Sequence, residues 1–366
     1  RTVFPDAGDG PHQVIRPTDE VAPELAVETV ADESALIARM REMALTGFDV
    51  TESVPLRVAL FALAGNGDSN RDSENGENGE NGEHVLMLVA HHISADGASM
   101  TPLFTDVFTA YLARVEGQAP QWTPLAVQYA DFAIWQRRVL GDESDPASVA
   151  AQQIDHWRRA LDGLPEAIDL PTDRPRPAVQ SLRGATHGFT VDADTHAALA
   201  DIARAHDVSL FMVVHAALSV LLERLSGSDD VAVGTPVAGR GDAELDPLVG
   251  MFVNTLVLRA HVDADIRFVD LLAQVRETDL SAFGNADIPF ERLVEVLKVP
   301  RSTAHQPLFQ VALAFNNTER PDFALPGLGI APIETSLEAA KFDLQLSLGE
   351  NVDADGRPAG LAASFD

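Results

Sequence analysis

The sequence has no cysteine among its 366 residues. Disulfide bonds, thiolate nucleophiles and cysteine-based zinc or iron-sulfur sites are therefore excluded. The absence also fits a protein kept in a reducing cytosol, so we expect a cytoplasmic location. The chain begins at Arg1 rather than at a methionine and stops in the strand-like stretch GLAASFD. We therefore expect it to be a piece of a longer protein.

Positive charge is scarce. Lysine and arginine total 26 against 56 aspartate and glutamate residues, which gives a formal net charge of -30. Because phosphate backbones and anionic lipid are bound by basic surfaces, this charge argues against nucleic acid and membrane surfaces as partners. Only two lysines occur, Lys298 and Lys341, and neither follows a glycine, so no Walker-type phosphate loop is present. Nucleotide hydrolysis is not expected.

Long apolar runs are missing as well. The longest, from Leu210 to Leu222, is shorter than a membrane span and is interrupted by His215. This stretch predicts a buried core helix. The N-terminal residues show no secretory signal sequence.

The residues that are present favour a large α/β protein. Hydrophobic residues make up 46% of a chain that is too long for one ordinary compact core. Strand-like and helix-like segments alternate in both halves, and a proline-rich stretch around residue 170 fits neither element. We predict an α/β fold of two lobes, residues 1–170 and 171–366. The Glu-Asn-Gly repeat in residues 65–83 has nothing to bury and predicts a disordered loop that closes a hairpin.

The stretch VAHHISADGAS contains two adjacent histidines, His91 and His92, which lie near the end of a predicted buried strand, HVLMLVAHHI. A helix is predicted to follow, with Thr101 as its N-cap, so the stretch is a strand-to-helix crossover of the kind that often carries catalytic groups. Neighbouring side chains on a strand point to opposite faces. One imidazole is thus expected to be structural and the other to face a crevice, and a shared metal ion is not expected. Asp96 has three candidate roles: it orients a histidine, caps the turn before Gly97, or pairs with a distant arginine.

The rest of the chain offers no clear competing chemistry. There is no HExxH or other histidine-rich spacing for a metal, and no G-x-S-x-G turn for a serine nucleophile. A histidine that acts directly on a bound substrate is the hypothesis that is left.

HHISADG also matches the HHxxxDG signature of the condensation domains of nonribosomal peptide synthetases. Other segments resemble further motifs of that family, in the family's order and over essentially the whole chain. These segments are RTVF at 1–4, YADFAIW at 129–135, VGMFVNTLVLR at 249–259, NADIPFERLVE at 285–295 and RSTAHQPLFQ at 301–310.

The resemblance implies a V-shaped pair of lobes like those of chloramphenicol acetyltransferase, with a channel between them. It implies an acyltransferase that forms a peptide bond. The donor is an aminoacyl or peptidyl thioester on an upstream carrier protein, and the acceptor is the amine of an aminoacyl thioester on a downstream carrier. Both substrates would arrive on 4'-phosphopantetheine arms, and no covalently bound cofactor or metal is expected. An adenylation domain of the same assembly line would load the carriers.

By the same resemblance His92 is the catalytic residue, and His91 is the structural histidine. Asp96 and Gly97 shape the loop, and the family pattern implies that Asp96 holds it through an arginine. The matching arginine is Arg240 in GTPVAGRGD.

The resemblance assigns supporting roles to other positions. Asn254 in FVNT either faces the channel or is a strand asparagine satisfied by neighbouring backbone. Tyr129, Asp131 and Trp135 are expected to be packing and cap residues. The chain departs from the family pattern at Ala98, where tryptophan is common, and at Ala286, where glutamine is common.

Finer and rival interpretations stay open. HHISADGASMTPL and the stretch WQRRVLGDESDPASVAAQQIDHW resemble the subtype that accepts a donor with a D-configured terminal residue. One rival is an epimerization domain, which shares the two histidines and exchanges an α-proton. Another is a catalytically silent condensation-like module that recruits partner proteins; such modules tend to lose the histidine motif, which is whole here.

Overall fold

The computed structural model describes residues 1–8, 10–21, 25–64, 83–316, 325, 327–333 and 339–366. Their packing divides them into two compact units. Unit 1 contains Arg1–Ala130, Asp242–Met251 and the described residues of 323–337. Unit 2 contains Asp131–Gly241 and the described residues of 252–322 and 338–366. This grouping differs from the predicted lobes 1–170 and 171–366, whose boundary stays a prediction.

Unit 1 is built on a three-stranded sheet in the order β3-β4-β5. Strand β3 (Ala26–Val30) is parallel to β4 (Leu56–Leu63), and β4 is antiparallel to β5 (His84–Ala90). Helix α1 (Glu33–Leu45) connects the parallel pair and buries Leu36 and Met40 against the sheet. The antiparallel pairing of β4 and β5 confirms the predicted hairpin. Its predicted disordered loop, 65–83, lies outside the described residues except for Glu83.

Two other elements complete unit 1. Strands β1 (Thr2–Val3) and β2 (Val14–Ile15) pair in antiparallel fashion. Helix α2 (Met100–Val115) follows β5, as predicted, but its N-cap is Ser99 and not Thr101. The Ser99 side chain makes no cap hydrogen bond to the helix. Its hydroxyl group bonds elsewhere, as described below.

Unit 2 contains a six-stranded sheet in the order β6-β11-β10-β9-β7-β8. Strand β9 is parallel to both of its neighbours, and the other pairs are antiparallel. The strands are β6 (His187–Val191), β7 (Asp230–Val237), β8 (Asn254–His261), β9 (Val311–Asn316), β10 (Leu344–Val352) and β11 (Pro358–Phe365).

The described part of unit 2 also contains helices. They are α3 (Tyr129–Leu140), which begins at the end of unit 1, α4 (Val149–Ala160), α5 (Ala193–Ala205), α6 (Leu210–Ser226), α7 (Phe268–Phe283) and α8 (Phe290–Val296). The predicted core helix is α6, which begins after the N-cap Ser209 and buries Val214, Leu218 and Leu222 against the sheet strands. The long apolar run of α6 is therefore explained by its burial in the core. Among the described residues, no single helix is long and apolar enough to cross a membrane, although α5 and α6, which meet at a bend of 103°, pass that test as a pair.

Arg259, whose side chain is 16% exposed, links α4 to the sheet of unit 2. Arg259 on β8 donates two hydrogen bonds to the carboxylate of Asp230 on β7, at 2.8 and 2.7 Å. Its remaining nitrogen donates to the carbonyl oxygens of Ala160 and Asp162, at 2.9 and 2.8 Å. These carbonyls follow the end of α4, where the helix leaves them without partners of its own. Arg259 therefore stabilises both the strand pair and the end of the helix.

Candidate functional site

The HHISADG stretch forms the connection between β5 and α2 in unit 1, as predicted. The strand ends at Ala90, and both histidines lie beyond it, in a turn. The His91 amide donates to the carbonyl oxygen of Pro55, the residue before β4, at 3.0 Å, and the Ser94 hydroxyl donates to the same oxygen at 3.4 Å. The expectation that strand geometry sends the two imidazoles to opposite faces is therefore wrong in its premise, because a turn does not alternate side chains as a strand does.

Contacts, and not faces, distinguish the two histidines. Nδ1 of His91 accepts a hydrogen bond from the Ile93 amide at 3.0 Å. The His91 ring also meets the ring of Phe48 edge-on, with 6.0 Å between centroids, and Phe48 is covered on its face by the guanidinium of Arg57, 3.7 Å away. Because Nδ1 accepts, the ring proton of His91 lies on Nε2. His91 is thus held in place, although it is exposed and does not point into the core.

His92 is also exposed. In the part of the chain that the structure describes, its side chain makes no hydrogen bond and no ion pair. Both ring nitrogens are therefore available to a substrate. This is the arrangement that direct action of a histidine on a bound molecule needs.

Asp96 is buried at the other end of the loop, with 3% of its surface exposed. Its Oδ1 atom accepts hydrogen bonds from the amide of Ser99 at 2.9 Å and from the hydroxyl of Ser99 at 2.7 Å. These bonds cap the turn of residues 96–99, which contains Gly97, and the predicted turn was the one before Gly97. The other two candidate roles stay predictions. Gly97 is exposed, has no left-handed backbone angle, and leaves open space where a Cβ would lie. Nothing in the surrounding structure explains a glycine there.

Within unit 1, one hydroxyl group of the loop bonds a distant segment, and a second hydroxyl group, outside the loop, bonds the next residue of that segment. The buried hydroxyl of Ser99 lies 2.8 Å from the carbonyl oxygen of Gly250 and 3.1 Å from its amide nitrogen. The hydroxyl of Tyr129 donates to the carbonyl oxygen of the next residue, Met251, at 2.6 Å. The motif segments HHISADGAS, YADFAIW and VGMFVNT therefore converge on two consecutive residues. Sequence reasoning placed Tyr129 among packing and cap residues and did not single out Ser99.

Asn254 lies in unit 2 and its amide group is fully used by neighbouring backbone. Nδ2 donates to the carbonyl oxygens of Ala286 and Ile288, each at 2.7 Å. Oδ1 accepts from the amides of Thr255 and Phe290, at 2.8 and 3.0 Å. These contacts match the second of the two predicted readings, a strand asparagine satisfied by backbone. Asn254 shapes the turn that leads into α8.

Arg240 also lies in unit 2, three residues beyond the end of β7. Its guanidinium carbon is 4.1 Å from the centroid of the Phe252 ring, a cation-π contact. Gly239 beside it cannot carry a side chain without a shift, because a Cβ there would lie 2.1 Å from the carbonyl oxygen of Phe252. The pairing of Arg240 with Asp96 of unit 1 stays a prediction.

The YADFAIW segment forms the start of α3, a helix that the sequence did not predict. Phe132 is buried and packs against Phe252, with 4.8 Å between ring centroids. Asp131 lies in the first turn of the helix, where a negative charge is favourable. Trp135, in contrast, is 50% exposed, so its predicted packing role is only partly met by its contact with Phe132.

Comparison with known proteins supports the same family throughout the chain. The family profile described as Condensation domain matches residues 76–355. A probable non-canonical nonribosomal peptide synthetase, CymA of Salinispora arenicola, is 46% identical over 366 residues, which is 100% of this chain and 4% of that protein. A dimodular nonribosomal peptide synthase of Bacillus subtilis is 44% identical over 361 residues, 99% of this chain and 14% of that protein. The chain thus spans a small part of the curated relatives it matches.

The solved structures agree. The X-domain in its complex with OxyB, from teicoplanin biosynthesis, is 35% identical and superimposes with a TM-score of 0.87, over 100% of this chain and 75% of that one. The predicted α/β fold of the chloramphenicol acetyltransferase type is confirmed. Profile, relatives and fold together show that the chain belongs to the condensation-domain family of nonribosomal peptide synthetases.

Proposed function

We propose that this chain forms a peptide bond between two carrier-bound substrates. The donor is an aminoacyl or peptidyl thioester on an upstream carrier protein, and the acceptor is the amine of an aminoacyl thioester on a downstream carrier. The observation that carries the proposal is the intact HHISADG loop, in which His91 is fixed by its neighbours and the side chain of His92 is free of described partners.

The reaction moves one proton in net terms, from the amine to the leaving thiolate, and it needs no external energy source. The amine nitrogen attacks the carbonyl carbon of the thioester, a C–N bond forms, and the C–S bond breaks. The peptidyl group is then attached to the downstream arm. The upstream arm leaves as a thiolate, which takes up a proton. A thioester is already activated, so ATP is not consumed at this step. The amine has a reference pKa of about 8, so a positioned base or acceptor helps it to lose its proton.

His92 is the group we propose for that task. Its imidazole accepts the amine proton as the C–N bond forms, or holds the amine against the thioester carbon until the proton leaves. Holding two reactants in place can by itself supply much of the rate. His91, Asp96 and Gly97 would shape the loop, Arg240 would hold it through Asp96, and Asn254 would support it indirectly by shaping the turn before α8.

The partners follow from the reaction. Both substrates would be tethered by 4'-phosphopantetheine arms of peptidyl carrier proteins, and an adenylation domain of the same assembly line would load them. The arms belong to the carriers, so no resident cofactor is proposed for this chain. The donor is proposed to carry a D-configured terminal residue; paired D- and L-aminoacyl donors test this, and equal or better use of the L-donor would refute it.

A second function is favoured by one comparison. The teicoplanin X-domain, which was solved in complex with OxyB, is 35% identical to this chain. A silent module that recruits a partner protein is therefore the alternative, with the epimerization domain as a third. The three differ in product: a condensation domain transfers the donor, an epimerization domain exchanges the α-proton, and a recruiting module does neither.

Reconstitution with two loaded carrier proteins tests the proposal. Mass spectrometry of the downstream arm should show the mass of the donor added to the acceptor. A parallel reaction in deuterated water should show no α-deuterium uptake in a single loaded carrier. Deuterium uptake without peptide formation would support epimerization. Absence of both peptide formation and deuterium uptake, with carriers shown to be competent, would support recruitment.

A further inference from the structure

The hydroxyl of Ser99 has an unusually full set of neighbours. The residue is completely buried, and its Oγ atom contacts four polar atoms of two residues. It accepts from the amides of Asp96 and Gly250, at 3.2 and 3.1 Å. It lies 2.7 Å from Oδ1 of Asp96 and 2.8 Å from the carbonyl oxygen of Gly250. A hydroxyl has two lone pairs and one proton, so its capacity is filled and the proton is shared between a carboxylate and a carbonyl.

The two residues that Ser99 joins lie far apart in the sequence. Asp96 belongs to the HHISADG loop, and Gly250 belongs to the segment 242–251, a separate stretch of unit 1. Tyr129 bonds Met251, the next residue of that segment. Two hydroxyls therefore hold two consecutive carbonyl groups beside the loop.

The HHISADG loop is short and has hydrogen bonds within its own backbone. Its position therefore depends on how its two ends are held. The Ser94 amide donates to the His91 carbonyl at 2.9 Å, and the Ser99 amide donates to the Asp96 carbonyl at 3.2 Å. One end is fixed by the bond from the His91 amide to Pro55. The other end is fixed at Ser99, whose carbonyl also accepts from the Leu103 amide in the first turn of α2. His92 lies between these two anchors.

We propose that Ser99, supported by Tyr129, is a positioning residue for the reaction: its hydroxyl joins the histidine loop to Gly250 and thereby sets the place of His92. This inference rests on the proposed function. A shift of about 1 Å in a reacting group can cost a large part of a rate even when the protein stays folded. Loss of this hydroxyl should therefore slow the chemistry more than it weakens substrate binding.

Four variants test the role. Ser99→Ala removes the hydroxyl, Ser99→Thr keeps it, and Tyr129→Phe removes the hydroxyl that donates to Met251. Ser219→Ala is the matched control, because Ser219 is also completely buried but donates only to the His215 carbonyl of its own helix, at 2.9 Å. Each variant is assayed with loaded carriers for kcat and KM, for thermal unfolding, and for hydrogen exchange at the Gly250 amide.

We expect Ser99→Ala to lower kcat about tenfold, the factor that corresponds to one hydrogen bond, and to leave KM for both carriers within about twofold. Gly250 should exchange faster, Ser99→Thr should recover most of the rate, and Ser219→Ala should keep kcat. Tyr129→Phe should act in the same direction, and the double variant should fall short of the product of the single effects because both act on one segment. If Ser99→Ala does not fold, Tyr129→Phe carries the test.

Two results would overturn the inference. One is an unchanged kcat in a folded Ser99→Ala variant whose Gly250 amide exchanges faster, since the bond would then be lost without effect. The other is an equal loss of kcat in Ser219→Ala, which would indicate a general effect of stability. A wild-type chain that forms no product would count against the proposed function, and the two failures are thereby distinguished.

Discussion

Nδ1 of His91 accepts a hydrogen bond from the backbone amide of Ile93 at 3.0 Å, and this bond distinguishes the role of His91 from that of its neighbour, His92. A ring nitrogen that accepts a hydrogen bond from the backbone of its own loop helps to hold that loop and is not available to a substrate. Among the residues that the structure describes, the His92 side chain makes no such hydrogen bond. The roles therefore follow from local bonding, which the alternation of side chains along a strand cannot supply for residues in a turn.

We expect His91→Ala to lower the condensation rate through the loop and not through the chemistry. The change removes one exposed hydrogen bond and a ring contact with Phe48, a loss of about 1 kcal/mol. The rate should fall by about fivefold, the factor that corresponds to about 1 kcal/mol, and His91→Asn, whose side-chain oxygen can accept from Ile93, should recover part of it. A rate for His91→Ala that is lower than that of His92→Ala would contradict the assignment.

Arg259→Ala should destabilise unit 2 strongly. The change leaves the carboxylate of Asp230, whose side chain is 14% exposed, without its arginine partner, and leaves the carbonyls of Ala160 and Asp162 at the end of α4 without this donor. We expect a loss of about 3 kcal/mol in the free energy of unfolding, measured in urea. The control is Arg204→Ala, which removes an exposed pair with Asp201 and should cost less than about 0.5 kcal/mol. Equal effects of the two changes would refute the role given to Arg259.

Asn254→Asp should disrupt the turn before α8. Two carbonyl oxygens, of Ala286 and Ile288, would face a carboxylate oxygen in place of the amide that donates to them. We expect a loss of about 2 kcal/mol or more in the free energy of unfolding, because two acceptors lose their donor and gain a repulsive neighbour. Asn285→Asp is the control, since the Asn285 side chain, just after α7, donates to one exposed carbonyl among the described residues, that of Ser281 near the end of the helix. A neutral effect of Asn254→Asp would show that the turn does not depend on the amide.

Asp192→Asn should change the response of unit 2 to acid. The amide of Thr195 donates to the Asp192 carboxylate at the start of α5 and lowers its pKa below the usual value of 3.8. A lowered pKa means that this contribution to stability is full above about pH 5 and is lost as the pH falls below 3.8 toward the folded-state pKa. Asparagine is an equally good N-cap without a titrating group. The free energy of unfolding at pH 7 should thus be similar in the two proteins. Between pH 5 and pH 2.5 it should fall less in the variant than in wild type. An identical acid profile would contradict this.

The sequence predicted the parts of the fold that local pattern determines. The β5-loop-α2 connection, the core helix α6 and its cap at Ser209 were foreseeable from apolar periodicity and cap residues. The sequence pattern does not predict helix α3, because its apolar residues include an exposed tryptophan, Trp135, and do not form one buried face. Thr101 was mistaken for the cap of α2, since the true N-cap residue, Ser99, directs its hydroxyl to other groups.

The site was less predictable than the fold. HHISADG pointed to the loop, and the D-x-x-S spacing of Asp96 and Ser99 is a recognisable turn signal. The bond between Ser99 and Gly250 joins residues 151 positions apart, and no local pattern encodes such a contact. The same holds for Tyr129 and Met251, which are 122 positions apart.

The most direct measurement of the central claim is the rate of donor transfer by wild type and by His92→Ala, followed by mass spectrometry of the downstream carrier. Both proteins should fold alike, because the His92 side chain is exposed and makes no described hydrogen bond. The account predicts that wild type extends the acceptor and that His92→Ala slows this by about 10²- to 10⁴-fold, the usual range for a catalytic proton-transfer group. Equal rates of transfer by the two proteins would contradict it.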